Sequence, residues 1–387
     1  MVTTFMRARL NWFAALALVL SLVLIGVQDT SAAAEPTADQ HSMVFDHTTG
    51  KGYRVAHNTH VGNYATTSPS GYAPATIKSA YGFTTSLTAG QGQTIAIVDA
   101  YNDPNAENDL NVFSSQYGLP ACTTANGCFQ KVNQTGGTSY PKNDPGWSLE
   151  ISLDVQWAHA IAPGAKILLV EASSASFTNL LAAEDYAKAH AKYVSNSWGG
   201  SEFSGESSYD SHFVQSGVSF FVSAGDAGLP AEYPSSSPNV ISVGGTTLKV
   251  TNAGAFSSET GWSSGGGGCS SYETATSAQK AFATYAQVNC AGKRATPDIS
   301  LDADPATGVS VYDSVRYQGQ LGWFRVGGTS ASSPMVAASA ATKGVIANST
   351  YIYGSTITNP YDVTSGNNGA SCLVGFDLCT GRGSWRS

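Results

Sequence analysis

Apolar runs of strand length alternate along this chain with longer segments that have helical periodicity. The runs typical of buried strands are residues 93–99, 165–170, 193–197 and 218–223. The segments typical of helices are residues 147–161, 177–192 and 335–347. Strands that are apolar throughout and alternate with helices belong to parallel sheets covered on both faces. The pattern therefore predicts an α/β fold with a mostly parallel sheet and helices on both faces.

The first residues have the pattern of a secretory signal. Arg7 and Arg9 precede an apolar run at residues 12–27, and small residues up to Ala34 suit cleavage after that position. The competing interpretation is an uncleaved anchor, but the run is shorter than the ~18–20 apolar residues that span a bilayer. We therefore expect a signal at residues 1–34 and a secreted, extracellular protein that has no membrane attachment after cleavage.

The next segment, residues 35–70, is polar and irregular and holds four of the seven histidines. A metal cluster is conceivable there, but a solvated leader or pro-segment agrees better with the polarity. Ordered periodicity begins near Tyr72, so residues 71–387 are expected to form one domain. The glycine-rich patch at residues 263–268 is predicted to be a flexible loop.

Composition narrows the possible partners and working conditions. Only 12% of the residues are charged, and the net charge is -8. An acidic chain lacks the basic face that nucleic-acid binding requires, so no nucleic-acid partner is expected. With few ion pairs to lose, the protein is also compatible with work in acid.

The six cysteines all follow the signal and form three near pairs in the sequence. In an exported protein, proximity favours three disulfides among them. The alternative, a zinc site, lacks paired C-x-x-C spacing or neighbouring histidines. The expected pairs are Cys122 with Cys128, Cys269 with Cys290, and Cys372 with Cys379.

Three short sequences carry candidate chemistry. Ser330 follows two glycines and stands at the start of a helix, where backbone N–H groups and the helix dipole suit an oxyanion. Glu150 and Asp154 lie one turn apart on a helix that is otherwise apolar, and buried paired acids are unusual without a role. Asp226 follows an apolar strand, where open α/β sheets place their sites. Each also has an ordinary interpretation, as a helix cap, a solvated acidic stripe or a turn.

Taken together and in this order, these motifs resemble the sedolisin, or serine-carboxyl peptidase, family, whose fold is that of the subtilisins. The resemblance covers residues 71–387. It rests on Glu150 to Ala165 with its Ala-Pro-Gly-Ala ending, on Ser223 to Gly228, on the glycine loop, and on Gly328 to Pro334. It implies a secreted peptidase that acts in acid, works as a monomer on peptides or proteins and forms an acyl-enzyme.

The resemblance also implies residue roles. Ser330 would be the nucleophile, Glu150 the general base and acid, and Asp154 its orienting partner. Asp226 would donate a hydrogen bond to the oxyanion while it is protonated, and Asp99 would support the acid pair. A glutamate base stays partly ionised in acid, where a histidine would be protonated. The substrate-binding segment would be Ser197, Trp198, Gly199 and Gly200.

A calcium loop is implied near the C-terminus, with one structural calcium ion. Asp362 and Asp377 would supply carboxylates, and Val363, Leu373 and Gly375 would supply carbonyls. Leu373 stands where relatives usually have glycine.

One departure from the family leaves two alternatives open. Sedolisins usually carry a long folded propeptide, but only residues 35–70 precede the domain here. The chain is therefore either a peptidase that manages without such a propeptide or a catalytically silent binding module on the same fold. A subtilisin-type peptidase that uses Asp99 and one of His159, His190 or His212 is a third reading of the sequence.

Overall fold

A computed structural model of the chain has a central sheet of eight strands with helices packed on both faces. It describes residues 65–354 and 360–386, together with the backbone of three short strands earlier in the chain. The signal predicted at residues 1–34 lies outside the described residues. Among the described residues, no helix is long and apolar enough to cross a bilayer.

The strands, in chain order, are β1 (Ser42–Phe45), β2 (Gly52–His57), β3 (His60–Val61), β4 (Thr94–Ala100), β5 (Phe129–Asn133), β6 (Lys166–Ala172), β7 (Tyr193–Asn196), β8 (Trp198–Ser201), β9 (Ser219–Ser223), β10 (Glu232–Tyr233), β11 (Ile241–Val250), β12 (Phe256–Gly261), β13 (Gly268–Thr274), β14 (Lys293–Thr296), β15 (Ile299–Asp302), β16 (Val309–Tyr317) and β17 (Gln320–Gly327). The α-helices are α1 (Pro74–Tyr81), α2 (Ala106–Tyr117), α3 (Pro145–Ile161), α4 (Phe177–His190), α5 (Ser277–Ala281), α6 (Thr329–Lys343) and α7 (Ser349–Tyr353). Two 3₁₀ helices span Glu206–Phe213 and Tyr285–Val288.

The central sheet confirms the predicted fold class. Its order is β12-β11-β9-β7-β4-β6-β5, with β15 paired to β11, and every pairing except that of β11 with β12 is parallel. Helices α3 and α6 pack against one face of this sheet in the larger apolar core. Helix α4 covers the other face in a second core. The two covered faces explain why the strands are apolar throughout.

Helix α6 begins at Thr329, six residues earlier than the predicted start at residue 335. The predicted helical segment began just after Pro334, although Ser330 was already assigned to a helix start, and proline normally interrupts a helix interior. Pro334 is instead inside the helix. Having no N–H, it leaves the carbonyl of Ser330 without its usual helical partner, and the Ser197 hydroxyl approaches that carbonyl at 3.5 Å.

The glycine loop at residues 263–268 is packed, which makes the prediction of flexibility wrong. Gly265 to Gly268 are buried. A Cβ on Gly266 would lie 2.1 Å from the carbonyl oxygen of Ala224, so only glycine fits at this contact. The glycines are present here because two backbones approach closely. A glycine-rich composition alone cannot distinguish such a contact from a flexible loop.

Three disulfides join the cysteines as proximity favoured. The bonds are Cys122–Cys128, Cys269–Cys290 and Cys372–Cys379. The Cys122–Cys128 bond joins two cysteines that lie beside His159. Without this bond, the three residues would resemble a metal site.

The leader, predicted to be irregular, contributes three strands. β1 and β2 pair with each other antiparallel, β2 also pairs with β8, and β3 pairs with β17. The partners of β2 and β3 are edges supplied by distant parts of the chain, and local sequence cannot reveal such partners.

Candidate active site

Helix α3 contains two carboxylates that lie in the buried core. The helix begins cleanly because the Asp144 side chain accepts hydrogen bonds from the backbone N–H groups of Gly146 and Trp147, at 3.0 and 3.1 Å. Glu150 and Asp154 follow one turn apart, and both are fully buried. The acid pair is therefore held on a rigid, well-capped element.

Asp99, in β4, is the third acid of this cluster and is also fully buried. Burial raises the pKa of the Asp99 carboxyl. Burial likewise raises the pKa of Glu150 and of Asp154 well above their usual values, and the charge of Asp99 raises both further. Burial and mutual repulsion therefore raise the proton affinity of all three carboxyl groups.

Two serine hydroxyl groups lie near the acid pair. The Ser330 hydroxyl opposes the rise in the pKa of Glu150, and the Ser197 hydroxyl opposes the rise in the pKa of Asp154. The Ser330 hydroxyl and the carboxyl oxygens of both acids have no hydrogen-bond partner among the described residues. Ser330 lies in the first turn of α6 and is fully buried. The side chains of Ser330, Glu150, Asp154 and Asp99 thus form one continuous group.

Asp226 lies directly after β9, and its position is fixed by Thr329. Both the backbone N–H and the hydroxyl of Thr329 donate to Asp226 Oδ1 at 2.8 Å. The Thr329 hydroxyl in turn accepts from the N–H of Gly225 at 3.1 Å. Since Thr329 is the residue before Ser330, these bonds hold the Asp226 carboxyl beside the start of α6. Its charge acts on Glu150.

The packed glycine loop is hydrogen-bonded to the turn that contains Asp226. The N–H of Gly266 donates to the carbonyl of Gly225 at 2.6 Å, and the N–H of Gly228 donates to the carbonyl of Ser264 at 3.0 Å. The turn before and after Asp226 is therefore clamped by backbone bonds.

The segment from Ser197 to Gly200 borders the same group. β8 pairs antiparallel with β10 on one side and with β2 of the leader on the other. The Trp198 side chain is fully buried, and its indole N–H donates to the carbonyl of Val98 at 3.0 Å. Trp198 therefore offers only its backbone along this edge.

Two short strands before residue 65 pair with segments that lie near Ser330. His57, at the end of β2, lies opposite Trp198, and His60, at the start of β3, lies opposite Gly327, three residues before Ser330. The direction of β2 is antiparallel to β8. Strand β2 thus lies along β8, and strand β3 lies along β17.

None of the three described histidines lies in this group. The His159 ring contacts the carbonyl oxygen of Pro120 at 2.9 Å, and burial lowers its pKa to about 4. His190 contacts the carbonyl of its own helix at Tyr186, and His212 pairs with Asp185. The subtilisin-type alternative therefore has no histidine base among the described residues.

The predicted calcium residues converge in the C-terminal loop. The Asp362 carboxylate accepts from the N–H of Gly375 at 2.9 Å, and the Asp377 carboxylate accepts from the N–H of Leu373 at 2.6 Å. Burial raises the pKa of Asp377 to about 6, and the charge of Asp362 contributes to the rise. The Asp362 Oδ1 atom is buried without a hydrogen-bond partner among the described residues.

Two features of this loop fit a bound cation. Gln287 occupies the carbonyls of Val374 and Phe376, at 3.0 and 2.6 Å. Gln287 does not bind the carbonyl oxygens of Leu373 and Gly375, the residues that alternate with these two. Two facing carboxylates with one orphaned oxygen match the oxygen ligands that calcium prefers.

Two residues that the sequence analysis did not single out border the site. Thr329 positions Asp226, and its place inside the serine motif was the available signal. Glu232, in β10, has its carboxyl carbon 2.8 Å from the position that a Cβ on Gly225 would occupy. Nothing in the local sequence around Glu232 indicates this position, because the contact depends on how β10 pairs with β8.

A family model matches more than half of the chain. Residues 141–349 match the subtilase family of peptidases. This span includes the acid pair, Asp226 and Ser330.

Comparison with known proteins identifies relatives of similar architecture. Kumamolisin from Bacillus sp. (strain MN-32) is 31% identical over 82% of this chain and 62% of its own length. Sedolisin from Pseudomonas sp. (strain 101) is 30% identical over 81% of this chain and 60% of its own length. The chain thus spans less than two thirds of these curated relatives.

A solved structure of Pseudomonas sedolisin, a serine-carboxyl proteinase complexed with two molecules of pseudo-iodotyrostatin, is also similar. It superposes with a TM-score of 0.66 and 30% identity, and the match covers 82% of this chain and 96% of that one.

Proposed function

Because this chain belongs to the sedolisin group of the subtilase family, whose members are serine-type peptidases, we propose that it hydrolyses peptide bonds through Ser330, Glu150 and Asp154 in acid. The observation that carries this proposal is the fully buried Glu150, whose pKa responds to the neighbouring Ser330 hydroxyl and to the charges of Asp99 and Asp226.

In the proposed reaction, the Ser330 hydroxyl oxygen attacks the peptide carbonyl carbon while its proton moves to Glu150. Glu150 then returns the proton to the departing amine nitrogen, which leaves an acyl-enzyme ester on Ser330. Water attacks this ester by the same proton route and restores the serine. Asp154 and Asp99 keep the Glu150 carboxyl in place and raise its proton affinity.

The negative oxygen of the tetrahedral intermediate would lie beside Asp226. A carboxyl group can donate a hydrogen bond only while it carries a proton, and an ionised Asp226 would repel the oxyanion. The bonds from Thr329 fix the carboxyl before substrate arrives, so little reorganisation is needed during the reaction. This requirement favours activity in acid.

The test is hydrolysis of a denatured protein from about pH 2 to about pH 8. Ser330→Ala should lower kcat/KM by about 10⁵-fold or more, and Glu150→Gln by about 10²–10⁴-fold. Ser332→Ala and Glu184→Gln are matched controls, since Ser332 lies in the same helix and Glu184 is buried on the other face of the sheet. Full activity in Ser330→Ala, or a profile with no acid limb, would refute the proposal.

We further propose that the chain's own leader is its first substrate. The pairing of β2 with β8, and of β3 with β17, resembles the strand addition by which clefts hold extended peptides. The bond to be cut would lie between His57 and His60. Until that cut, substrate is excluded from β8.

Leader removal is followed by mass spectrometry of intact protein in acid. The wild type should lose its leader at a rate that does not depend on protein concentration, as expected of an intramolecular step, and Ser330→Ala should retain it. Removal of the leader from purified Ser330→Ala, with no active enzyme added, would contradict this proposal.

We also propose one structural calcium ion. Asp362 and Asp377 would supply carboxylates, and Val363, Leu373 and Gly375 carbonyls. When bound, the ion would neutralise the two facing carboxylates and brace the loop that the Cys372–Cys379 bond closes. Secretion through the signal at residues 1–34 and action as a monomer complete the proposal.

A further inference from the structure

A histidine lies against a disulfide bond near the carboxyl end of helix α3. One ring nitrogen of His159 and the sulfur atoms of Cys122 and Cys128 lie within 4.8 Å of one another. His159 and Cys122 are fully buried, and Cys128 is half-buried. Cysteine spacing gave no neighbouring histidine for a zinc site, whereas the fold brings one from a distant part of the sequence.

The His159 ring is in the form that binds metals. Its Nε2 atom lies 2.9 Å from the carbonyl oxygen of Pro120, which can only accept a hydrogen bond, so Nε2 carries the hydrogen. Nδ1 then carries the lone pair, and it is buried without a hydrogen-bond partner among the described residues. Metal-binding histidines commonly have this arrangement, with one ring nitrogen on a carbonyl oxygen and the other on the ion.

A cavity and nearby cations favour reaction at this disulfide. Cys128 lines a cavity of about 210 Å³ whose wall also includes the exposed residues Lys166 and His190. The charge of Lys78, in α1, acts on His159. Nearby cations favour the thiolate form of cysteine, which is the form that binds metals. The cavity gives a small reductant or a metal ion a route to the Cys128 sulfur.

Only small movements would convert this group into a metal site. Zinc binds sulfur at about 2.3 Å and nitrogen at about 2.0–2.1 Å, so the ligand atoms of a tetrahedral site lie roughly 3.4–3.8 Å apart. Once the sulfur–sulfur bond is broken, the two sulfur atoms must separate to that distance. The His159 nitrogen is already within 4.8 Å of both. The fourth position would be filled by water from the cavity.

We propose that Cys122, Cys128 and His159 form a zinc site when their disulfide is reduced. A dithiol attacks the Cys128 sulfur, since Cys122 is fully buried. The dithiol supplies two electrons and two protons, becomes a disulfide itself and leaves two protein thiols. Zinc then displaces both thiol protons to solvent and binds the two thiolates and Nδ1. The bond or the ion would thus hold the segment between α2 and β5 against α3 in either redox state.

The test uses cobalt(II) as a spectroscopic substitute for zinc, in the Ser330→Ala background that prevents self-digestion. A phosphine, which competes less for the ion than a dithiol, reduces the protein at about pH 7.5 and becomes its oxide with oxygen from water. The reduced protein should bind one cobalt ion and show the visible absorption of a tetrahedral site together with cobalt–thiolate charge-transfer absorption. Zinc should displace the cobalt, and the oxidised protein should show neither band.

Matched variants identify the ligands. Cys122→Ser with Cys128→Ser should abolish both bands. Cys269→Ser with Cys290→Ser removes another disulfide and should leave both bands unchanged. His159→Gln should weaken cobalt binding by more than the ~10–100-fold that loss of an outer hydrogen bond costs. His159→Cys adds a third thiolate and should strengthen the charge-transfer absorption, which keeps the role of residue 159 testable if His159→Gln fails to fold.

Several results would overturn the inference. Equal cobalt binding by oxidised and reduced protein, or binding retained by Cys122→Ser with Cys128→Ser, would place the ion elsewhere. A reduced protein that binds no cobalt, whether folded or unfolded, would show that the group does not become a metal site. Acidification to about pH 5 should release the ion, because protons compete for both thiolates. None of these readouts needs peptide cleavage, so their failure leaves the peptidase proposal untouched.

Discussion

Two regions of this molecule bury carboxyl groups in opposite ways. Asp298 is buried beside Arg294, whose guanidinium donates to both of its oxygens, and the backbone N–H of Ser242 adds a third bond at 2.7 Å. Glu150, Asp154 and Asp99 are buried together with no cation beside them in the described part of the chain. The first acid forms an ion pair with a buried cation, while the other three share a site without one. A buried acid can act as a general base where no cation is paired with it.

Breaking the paired site should have the largest effect on stability. Asp298→Ala leaves Arg294 buried and uncompensated, and we expect the free energy of unfolding to fall by about 3–5 kcal/mol. Denaturant unfolding in a Ser330→Ala background, which prevents self-digestion, measures the loss. Asp154→Asn is the matched change in the unpaired site and should lower activity without lowering stability at neutral pH. Equal stability losses in the two variants would remove the distinction between the sites.

The C-terminal loop provides a third case, because Asp362 and Asp377 would bind a cation from solution. Calcium at about 100 times its dissociation constant should raise the free energy of unfolding by about 2.7 kcal/mol. The gain should disappear on chelation and should be absent in Asp377→Asn. If calcium stabilises the wild type and Asp377→Asn equally, the ion binds elsewhere.

The smallest expected effect, when it is taken over a single pH unit, concerns acids that keep their protons. Burial raises the pKa of Glu184 and of Asp313 to about 8. Below about pH 4, the folded and unfolded chains both carry these protons, and stability is highest. As pH rises toward 8, the unfolded chain releases protons that the folded chain retains, so stability falls by about 1.4 kcal/mol per pH unit for each retained proton.

Unfolding measured at several pH values in the Ser330→Ala background checks this slope. Glu184→Gln should remove one retained proton and make the slope shallower, whereas Asp185→Asn, a change at the neighbouring exposed acid, should not. Stability that rises between pH 5 and pH 8 would contradict the expected sign.

The fold and the acid cluster were predictable because their signals are local or periodic. Apolar runs gave the parallel sheet, and the spacing of Glu150 and Asp154 placed both on one helix face. The serine motif indicated a helix start at Ser330, whereas the periodic segment began only at residue 335; α6 starts at Thr329, and the N–H that Pro334 lacks is compensated at the Ser330 carbonyl.

The remaining features depend on contacts between distant segments. The glycine loop was interpreted as flexible, although its glycines permit close backbone contact with the Asp226 turn. The pairing of the leader with β8, and the position of Glu232 between two glycines, arise only when separate parts of the chain are brought together. Composition and spacing contain no signal for either.

Covalent attachment gives the β2 strand an effective concentration at β8 on the order of millimolar, whatever the amount of protein in solution. A peptide substrate at lower concentration cannot compete with it. Once the chain is cut, the same strand becomes an ordinary ligand whose occupancy falls as the protein is diluted. Release of activity would then depend on the volume into which the protein is diluted.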